Sequence, residues 1–371
     1  MRKALKAIGI LVGVAVAGIA LFVGYELFKL DAFRTVTPHF AGSCVKILGA
    51  TGAEDVVVDA EGGVAYISAT DRRAQFQGAP HGATPDGIYR LTLSDAPDAD
   101  AKLQYMPVEG LSDFHPHGID IRKLPDGSIR IFAVNHNQAG HGVEILNVES
   151  DRLVHLQTVQ DPLIISPNDV TAVGPQEFYV TNDKMRSVTP GMRPQDSKWR
   201  QYIRLIGKPE PTTVVYWDGT AASVAAGDLI TSNGIEASSD DRKIYVSERG
   251  AQNLVIYDRD TDGKLTLKEK IYLDTAPDNI SVAPDGSLFI AGHPLRLKLV
   301  TARGKAGIPT PSQILLVTPK PQGPGSVREI YMNKGDEITM ATVAAPYGKD
   351  MFIMGNVNDE IVLVCRRDGS E

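Results

Sequence analysis

Seven side chains with oxygen donors stand at equivalent places along the chain: Glu54, Asp55, Asn168, Asp169, Asn233, Asp278 and Asn279. Each opens a run of alternating apolar residues, as Asp278-Asn279 opens Ile280 and Val282. Hard oxygens, several of them neutral amides, suit calcium, which takes about six to eight oxygen ligands, whereas zinc prefers nitrogen and sulfur. The charges divide into two sets. Glu54 and Asp278 with Asn168, Asn233 and Asn279 make one site, and Asp55 with Asp169 makes a second. Neighbours such as Glu54 and Asp55 point to opposite sides of a strand entry, so two ions are expected, one at a channel mouth and one deeper. The plain alternative is that Asn and Asp only cap turns here.

Histidine supplies the other chemistry. His117 lies in Phe114-His115-Pro116-His117-Gly118 at a strand start, and His136 ends the following strand in Val134-Asn135-His136. A hairpin would bring the two together as a general base with a proton relay. Against this stands a packed structural role for each. His293 closes the strand after Asp278-Asn279 and is expected near the same pocket. No Gly-x-Ser-x-Gly elbow is present, so water activated beside a metal is favoured over a covalent nucleophile. Asp258-Arg259-Asp260-Thr261-Asp262-Gly263 with Glu269 matches the EF-hand loop pattern, but its flanks read as strands, so it is expected to be a hairpin turn.

Positioning these groups takes a repeat. Polar starts recur at Ala53-Glu54-Asp55-Val56, His117-Gly118-Ile119, Asn168-Asp169-Val170, Asn233-Gly234-Ile235, Asp278-Asn279-Ile280 and, more weakly, Glu337-Ile338-Thr339. Each leads into a strand, a turn such as Pro284-Asp285-Gly286, and a second strand. Starts are about 45 to 65 residues apart, which with further hairpins predicts an all-β, six-bladed propeller. Inner strands begin near the central channel, so the polar starts converge there. Two stretches depart from the repeat. Met185–Gly207 reads as an insertion with a short amphipathic helix forming a lid, and Leu295–Pro311 reads as a basic loop over the same face.

The N-terminus is separate. Arg2, Lys3 and Lys6 precede the nearly uncharged run Ala7–Val23, extended to Phe28. Roughly 20 apolar residues suffice to cross a bilayer, and the flanking charge keeps the N-terminus cytoplasmic. Residues 1–30 are expected to be an uncleaved signal anchor, with a cleaved signal peptide as the alternative, and residues 31–371 the exported domain, periplasmic or extracellular. Export makes the two cysteines, Cys44 and Cys365, a disulfide candidate that ties the ends of the body together. Two unrelated buried thiols are the alternative. The net charge of −7 and the lack of a basic stripe set nucleic acid aside.

The combination of Gly52-Ala53-Glu54-Asp55, Pro116-His117-Gly118-Ile119, Val134-Asn135-His136, Asn168-Asp169-Val170 with Ala172-Val173-Gly174-Pro175, Thr181-Asn182-Asp183, Asn233-Gly234-Ile235, Asp278-Asn279-Ile280-Ser281-Val282 and Gly292-His293-Pro294 resembles the paraoxonase family. The resemblance runs from Cys44 to Cys365. It implies a calcium-dependent lactonase and arylesterase on a six-bladed propeller, with a retained N-terminal helix. It further implies that Glu54, Asn168, Asn233, Asp278 and Asn279 hold a catalytic calcium, and that Asp55, Asp169 and the carbonyl of Ile119 hold a structural one. His117 and His136 would form the base-and-relay dyad, and the substrate would be a small lactone or ester. A sugar-lactone hydrolase of the gluconolactonase type and a non-catalytic calcium-binding propeller are the competing readings.

Overall fold

The computed structural model describes residues 2–77, 81–185, 211–302, 305, 307–320 and 325–369. Among these residues the strands form six sheets, five of four strands and one carrying a short fifth. Neighbouring strands pair antiparallel, except for the short Val108–Glu109, which adds parallel to Leu153–Val159. The innermost strands are Ala53–Asp59, Pro116–Lys123, Pro167–Ala172, Ser232–Ala237, Ala276–Val282 and Ala341–Tyr347. Each packs against the innermost strands of both neighbouring sheets, which closes them into a ring. The fold is therefore an all-β, six-bladed propeller, and the blades are numbered here from the one that opens with Ala53.

The core lies between blades. Strands buried on both faces read as continuous apolar runs rather than as an apolar-polar alternation. In Phe178-Tyr179-Val180, Phe178 and Val180 pack toward blade 2 with Phe132 and Val134. Tyr179, on the opposite face, packs toward blade 4 with Ile244 and Val246. Leu288 and Ile290 likewise join blade 4 while Phe289 and Ala291 join blade 6. Burying each such side chain stabilises the ring by about 1.5–3 kcal/mol, and no blade can bury both of its faces alone.

Blade 6 closes the ring with both ends of the body. Gly42–Leu48 pairs with Ile361–Arg367, and Cys44, directly opposite Cys365, is disulfide-bonded to it. The sixth inner strand begins at Ala341, later than the Glu337 start expected from the sequence. Glu337 instead accepts a hydrogen bond from the Tyr331 hydroxyl at 2.7 Å. The EF-hand-like stretch is a hairpin turn between Asn253–Arg259 and Leu265–Tyr272, as expected.

Helix α1 (Arg2–Lys29) includes a 25-residue stretch, Leu5–Lys29, long and apolar enough to cross a membrane. A short helix, α2 (Arg72–Gln77), follows the second strand of blade 1. A third, α3 (Arg296–Ala302), occupies part of the stretch expected to be a loop. Leu299 and Ala302 of α3 are buried at one helical turn's spacing, and that contact is why it folds. The exit of α1 docks on α3: the Leu297 amide donates to the Leu30 carbonyl at 2.9 Å, and Arg296 pairs with Asp31 at 2.6 Å. The expected lid, Met185–Gly207, lies outside the described residues apart from Met185.

Candidate active site

All six inner strands break register at their channel ends. In blade 3, Pro167 pairs with Asn182 and the next pair is Val170 with Val180, so Asn168 and Asp169 together oppose the single residue Thr181. The same slip falls between Ser232 and Ile235, Pro277 and Ile280, Pro116 and Ile119, Ala53 and Asp55, and Ala341 and Val343. A bulge releases residues from the ladder and re-aims their side chains. Here it frees Asn233-Gly234, Asp278-Asn279 and His117-Gly118 at one end of the ring. Glycine is required where the blades meet: a Cβ on Gly234 would lie 2.5 Å from the Asp278 carbonyl oxygen, and one on Gly118 would lie 2.1 Å from Asp169 Oδ1.

Glu54, His117, Asn168, Asn233, Asp278 and His293 line one cavity. Asn279 lies beside it, its side-chain amide donating to the Glu54 carbonyl at 3.4 Å. The side-chain oxygens of Asn168, Asn233 and Asn279 are buried and have no hydrogen-bond partner among the described residues. An orphaned buried acceptor is costly, and three together beside two buried carboxylates fit a hard cation. Among the described residues no three His, Cys, Asp or Glu side chains cluster as a metal site; the oxygen donors on the cavity are two carboxylates and two side-chain amides, a set calcium tolerates and zinc does not. A second pocket, between Leu91 and Ile353, gathers no comparable set of titratable groups.

Asp55 and Asp169 hold the ring together. Asp55 accepts from the Ile119 amide of blade 2 at 2.8 Å, and Asp169 from the Ile235 amide of blade 4 at 2.8 Å. Burial first, and the neighbouring charge of Glu54 second, raise the Asp55 carboxyl above its ordinary range; burial and then Asp55 raise Asp169. A divalent cation would relieve that penalty.

His117 Nδ1 lies 2.8 Å from His136 Nε2, and His117 Nε2 lies 3.4 Å from Glu54 Oε1. The sequence-predicted pair is therefore in contact, with His117 on the cavity side. Burial, followed by the neighbouring His117 and His141, holds His136 well below the ordinary histidine range and so disfavours its protonated form. His293 Nε2 lies 2.7 Å from Asp278 Oδ2. His115, adjacent in sequence, turns away to Asp86 at 2.6 Å and Asp113 at 3.0 Å.

Sequence reasoning missed several neighbours. His141 Nδ1 lies 2.9 Å from His136 Nδ1 and extends the pair to three rings. Arg72, buried, donates to the Gly52 carbonyl at 3.2 Å and lies 3.9 Å from Glu54 Oε2. Thr342 donates to the Glu54 carbonyl at 2.5 Å. A signal for Arg72 was present: second strands end in polar residues at the channel, as His136, Asn182 and His293 do, and Asp71-Arg72 follows the blade 1 strand in the same way.

The family model described as Arylesterase matches residues 39–365. Serum paraoxonase/arylesterase 2 of Homo sapiens is 30% identical over 357 residues, spanning 93% of this chain and 96% of the relative. Serum paraoxonase/lactonase 3 of Rattus norvegicus is 29% identical over 357 residues, with the same coverage of 93% and 96%. Among solved structures, regucalcin, a calcium-binding protein of Agrobacterium tumefaciens, aligns with a TM-score of 0.51 at 12% identity, over 91% of this chain and 98% of that chain, a likeness of fold. By the extent of these matches, the chain belongs to the arylesterase family, together with the serum paraoxonases.

Proposed function

We propose that this protein is a calcium-dependent hydrolase that opens lactones and cleaves aryl esters. The observation that carries the reading is the shared cavity, in which His117 stands among the side chains of Asn168, Asn233, Glu54 and Asp278, with the unpartnered Asn279 oxygen beside it. Membership of the arylesterase family, and relatives named arylesterase and lactonase, support an ester- or lactone-directed hydrolase. Glu54, Asn168, Asn233, Asp278 and Asn279 would hold a catalytic calcium. Asp55, Asp169 and the Ile119 carbonyl would hold a structural one. Calcium bound there supplies Lewis-acid polarisation of the scissile carbonyl.

The chain's own residues do the proton work. His117 accepts a proton from the attacking water at Nε2, the nitrogen on the Glu54 side. Its Nδ1 proton then passes to His136 Nε2 across 2.8 Å. Burial disfavours an imidazolium at His136, so as His136 Nε2 takes that proton its Nδ1 gives one up to His141 Nδ1 across 2.9 Å. Residues 1–30 anchor the protein in the membrane and residues 31–371 form the hydrolase domain on the periplasmic or extracellular side.

The test is turnover of an acyl-homoserine lactone, a simple γ-lactone, gluconolactone and phenyl acetate by the purified chain, with calcium and after chelation. Calcium-dependent turnover of lactones and aryl ester is expected, and His117→Gln should lower kcat by about 10²–10⁴-fold. Calcium binding without turnover of any of the four would sink the hydrolase reading. Full activity in His117→Gln would move the base role to Glu54 or Asp278.

A further inference from the structure

One guanidinium in the cavity has no place in the chemistry above. Arg249 lines the same pocket as Glu54, His117 and Asn233. It sits in the turn between Lys243–Glu248 and Asn253–Arg259 and is half-buried. Its backbone is pinned to the start of the blade 4 inner strand: the Arg249 amide donates to the Thr231 carbonyl at 3.0 Å, and the Gly250 amide to Ile230 at 2.9 Å. The turn therefore holds a fixed position two residues from Asn233. Gly250 makes that approach possible, since a Cβ there would lie 2.5 Å from Ile230 Cγ2.

The acids around it are already engaged. Glu248 binds Lys270 at 2.9 Å and accepts from the Ile230 amide at 3.0 Å. Asp278 is held by His293 at 2.7 Å, and Glu54 faces His117 and Arg72. Among the described residues, no hydrogen bond or ion pair engages the Arg249 side chain. A half-buried guanidinium carries five donors in a planar fork, and the partner that fork matches best is a carboxylate. Arg72, behind Glu54, adds a second positive charge, and its Nη2 also lacks a hydrogen-bond partner.

We propose that Arg249 is a specificity residue that receives a carboxylate carried by the substrate away from its scissile carbonyl, so that the favoured substrates are acidic lactones or esters. The inference rests on the hydrolase reading for its kinetic arm and stands apart from it in its binding arm. An arginine that only captured the carboxylate released by ring opening would not discriminate between substrates, and this separates the two roles.

The experiment compares 5-oxotetrahydrofuran-2-carboxylate with its neutral carboxamide, using the full chain in detergent and the variants Arg249→Gln and Arg249→Lys. Wild type is expected to favour the carboxylate in kcat/KM by at least about tenfold, the ratio to fall close to one in Arg249→Gln, and part of it to return in Arg249→Lys, which keeps the charge but loses the fork. The preference should also weaken as salt is raised. In parallel, calorimetry follows the unreactive tetrahydrofuran-2-carboxylate and its carboxamide, and the same ordering of affinities is expected. A ratio near one in wild type in both arms, or a ratio retained in Arg249→Gln, overturns the inference. Discrimination in the binding arm with neither lactone turned over supports Arg249 as the carboxylate site and tells against the hydrolase reading instead.

Discussion

His115 shows how two neighbouring histidines in one phrase take different work. His117 faces the cavity, whereas His115 is clamped between Asp86 and Asp113. Burial alone would lower the His115 value, but the hydrogen bond and charge of Asp86 more than offset it and raise it above 6.5. Burial would raise Asp86, and the hydrogen bond from His115 brings it below 3.8 instead. The histidine's contribution to stability is complete below about pH 6.5 and fades as pH rises through its raised value; that of the aspartate is complete above about pH 3.8 and fades as pH falls through its lowered value. The pair therefore stabilises the fold most between about pH 4 and 6.5. Thermal melts should show Asp86→Asn lowering Tm more at pH 6 than at pH 9, by roughly 2 °C or more; equal losses at both would show that the ion pair contributes nothing. At this scale the sequence was informative where residue type and phase coincided, as for Asn168, Asn233 and Asp278. It was silent on His141, a single polar residue that carries no phase of its own.

The deciding element is the bulge at the head of each inner strand. Simple alternation sends Asn168 and Asp169 to opposite faces of a strand, which was the sequence expectation. The backbone slip sets both opposite Thr181, with Asn168 on the cavity and Asp169 on the Ile235 amide, and no residue type announces a bulge of this kind. The blades themselves were legible, because a strand buried between two others must be apolar throughout, and Phe178-Tyr179-Val180 and Leu288–Ile290 read that way. Helix α3 was not, since basic residues and a following Gly-Pro-rich stretch hide the two buried positions Leu299 and Ala302. The bulges make a sharp prediction at Gly234. A methyl group there meets the backbone of Asp278 and Asn279 at 2.5–2.6 Å, so those side chains must move. Gly234→Ala should lower kcat/KM by about 10²-fold, the scale of a misplacement near 1 Å, while far-UV circular dichroism stays unchanged. Undiminished turnover would mean that the position of this pair does not matter to catalysis.

The whole molecule is a ring closed by its two ends. Gly42–Leu48 completes blade 6, and the Cys44–Cys365 bond joins positions 321 residues apart. Replacing both cysteines by alanine should destabilise by about 2–5 kcal/mol, lowering Tm by roughly 3–10 °C and opening blade 6 first. Hydrogen exchange that left Gly42–Leu48 as protected as the other strands would contradict that order. The pairing was legible because only two cysteines exist and they bracket the repeats. The docking of α1 on α3 was not, because it depends on the Leu30–Leu297 and Asp31–Arg296 contacts, far apart in sequence.

In the proposed mechanism, amide oxygens at the bulges hold the calcium on which hydrolysis depends. The most direct measurement is a calcium titration of chelated protein, following heat of binding and turnover of a simple γ-lactone in the same samples, for wild type and Asn233→Ala. Turnover should return in step with calcium occupancy in wild type. In Asn233→Ala both curves should shift together to higher calcium by about tenfold or more, the scale of one lost ligand. Turnover that survives chelation, or binding that saturates in Asn233→Ala as it does in wild type, would contradict the account.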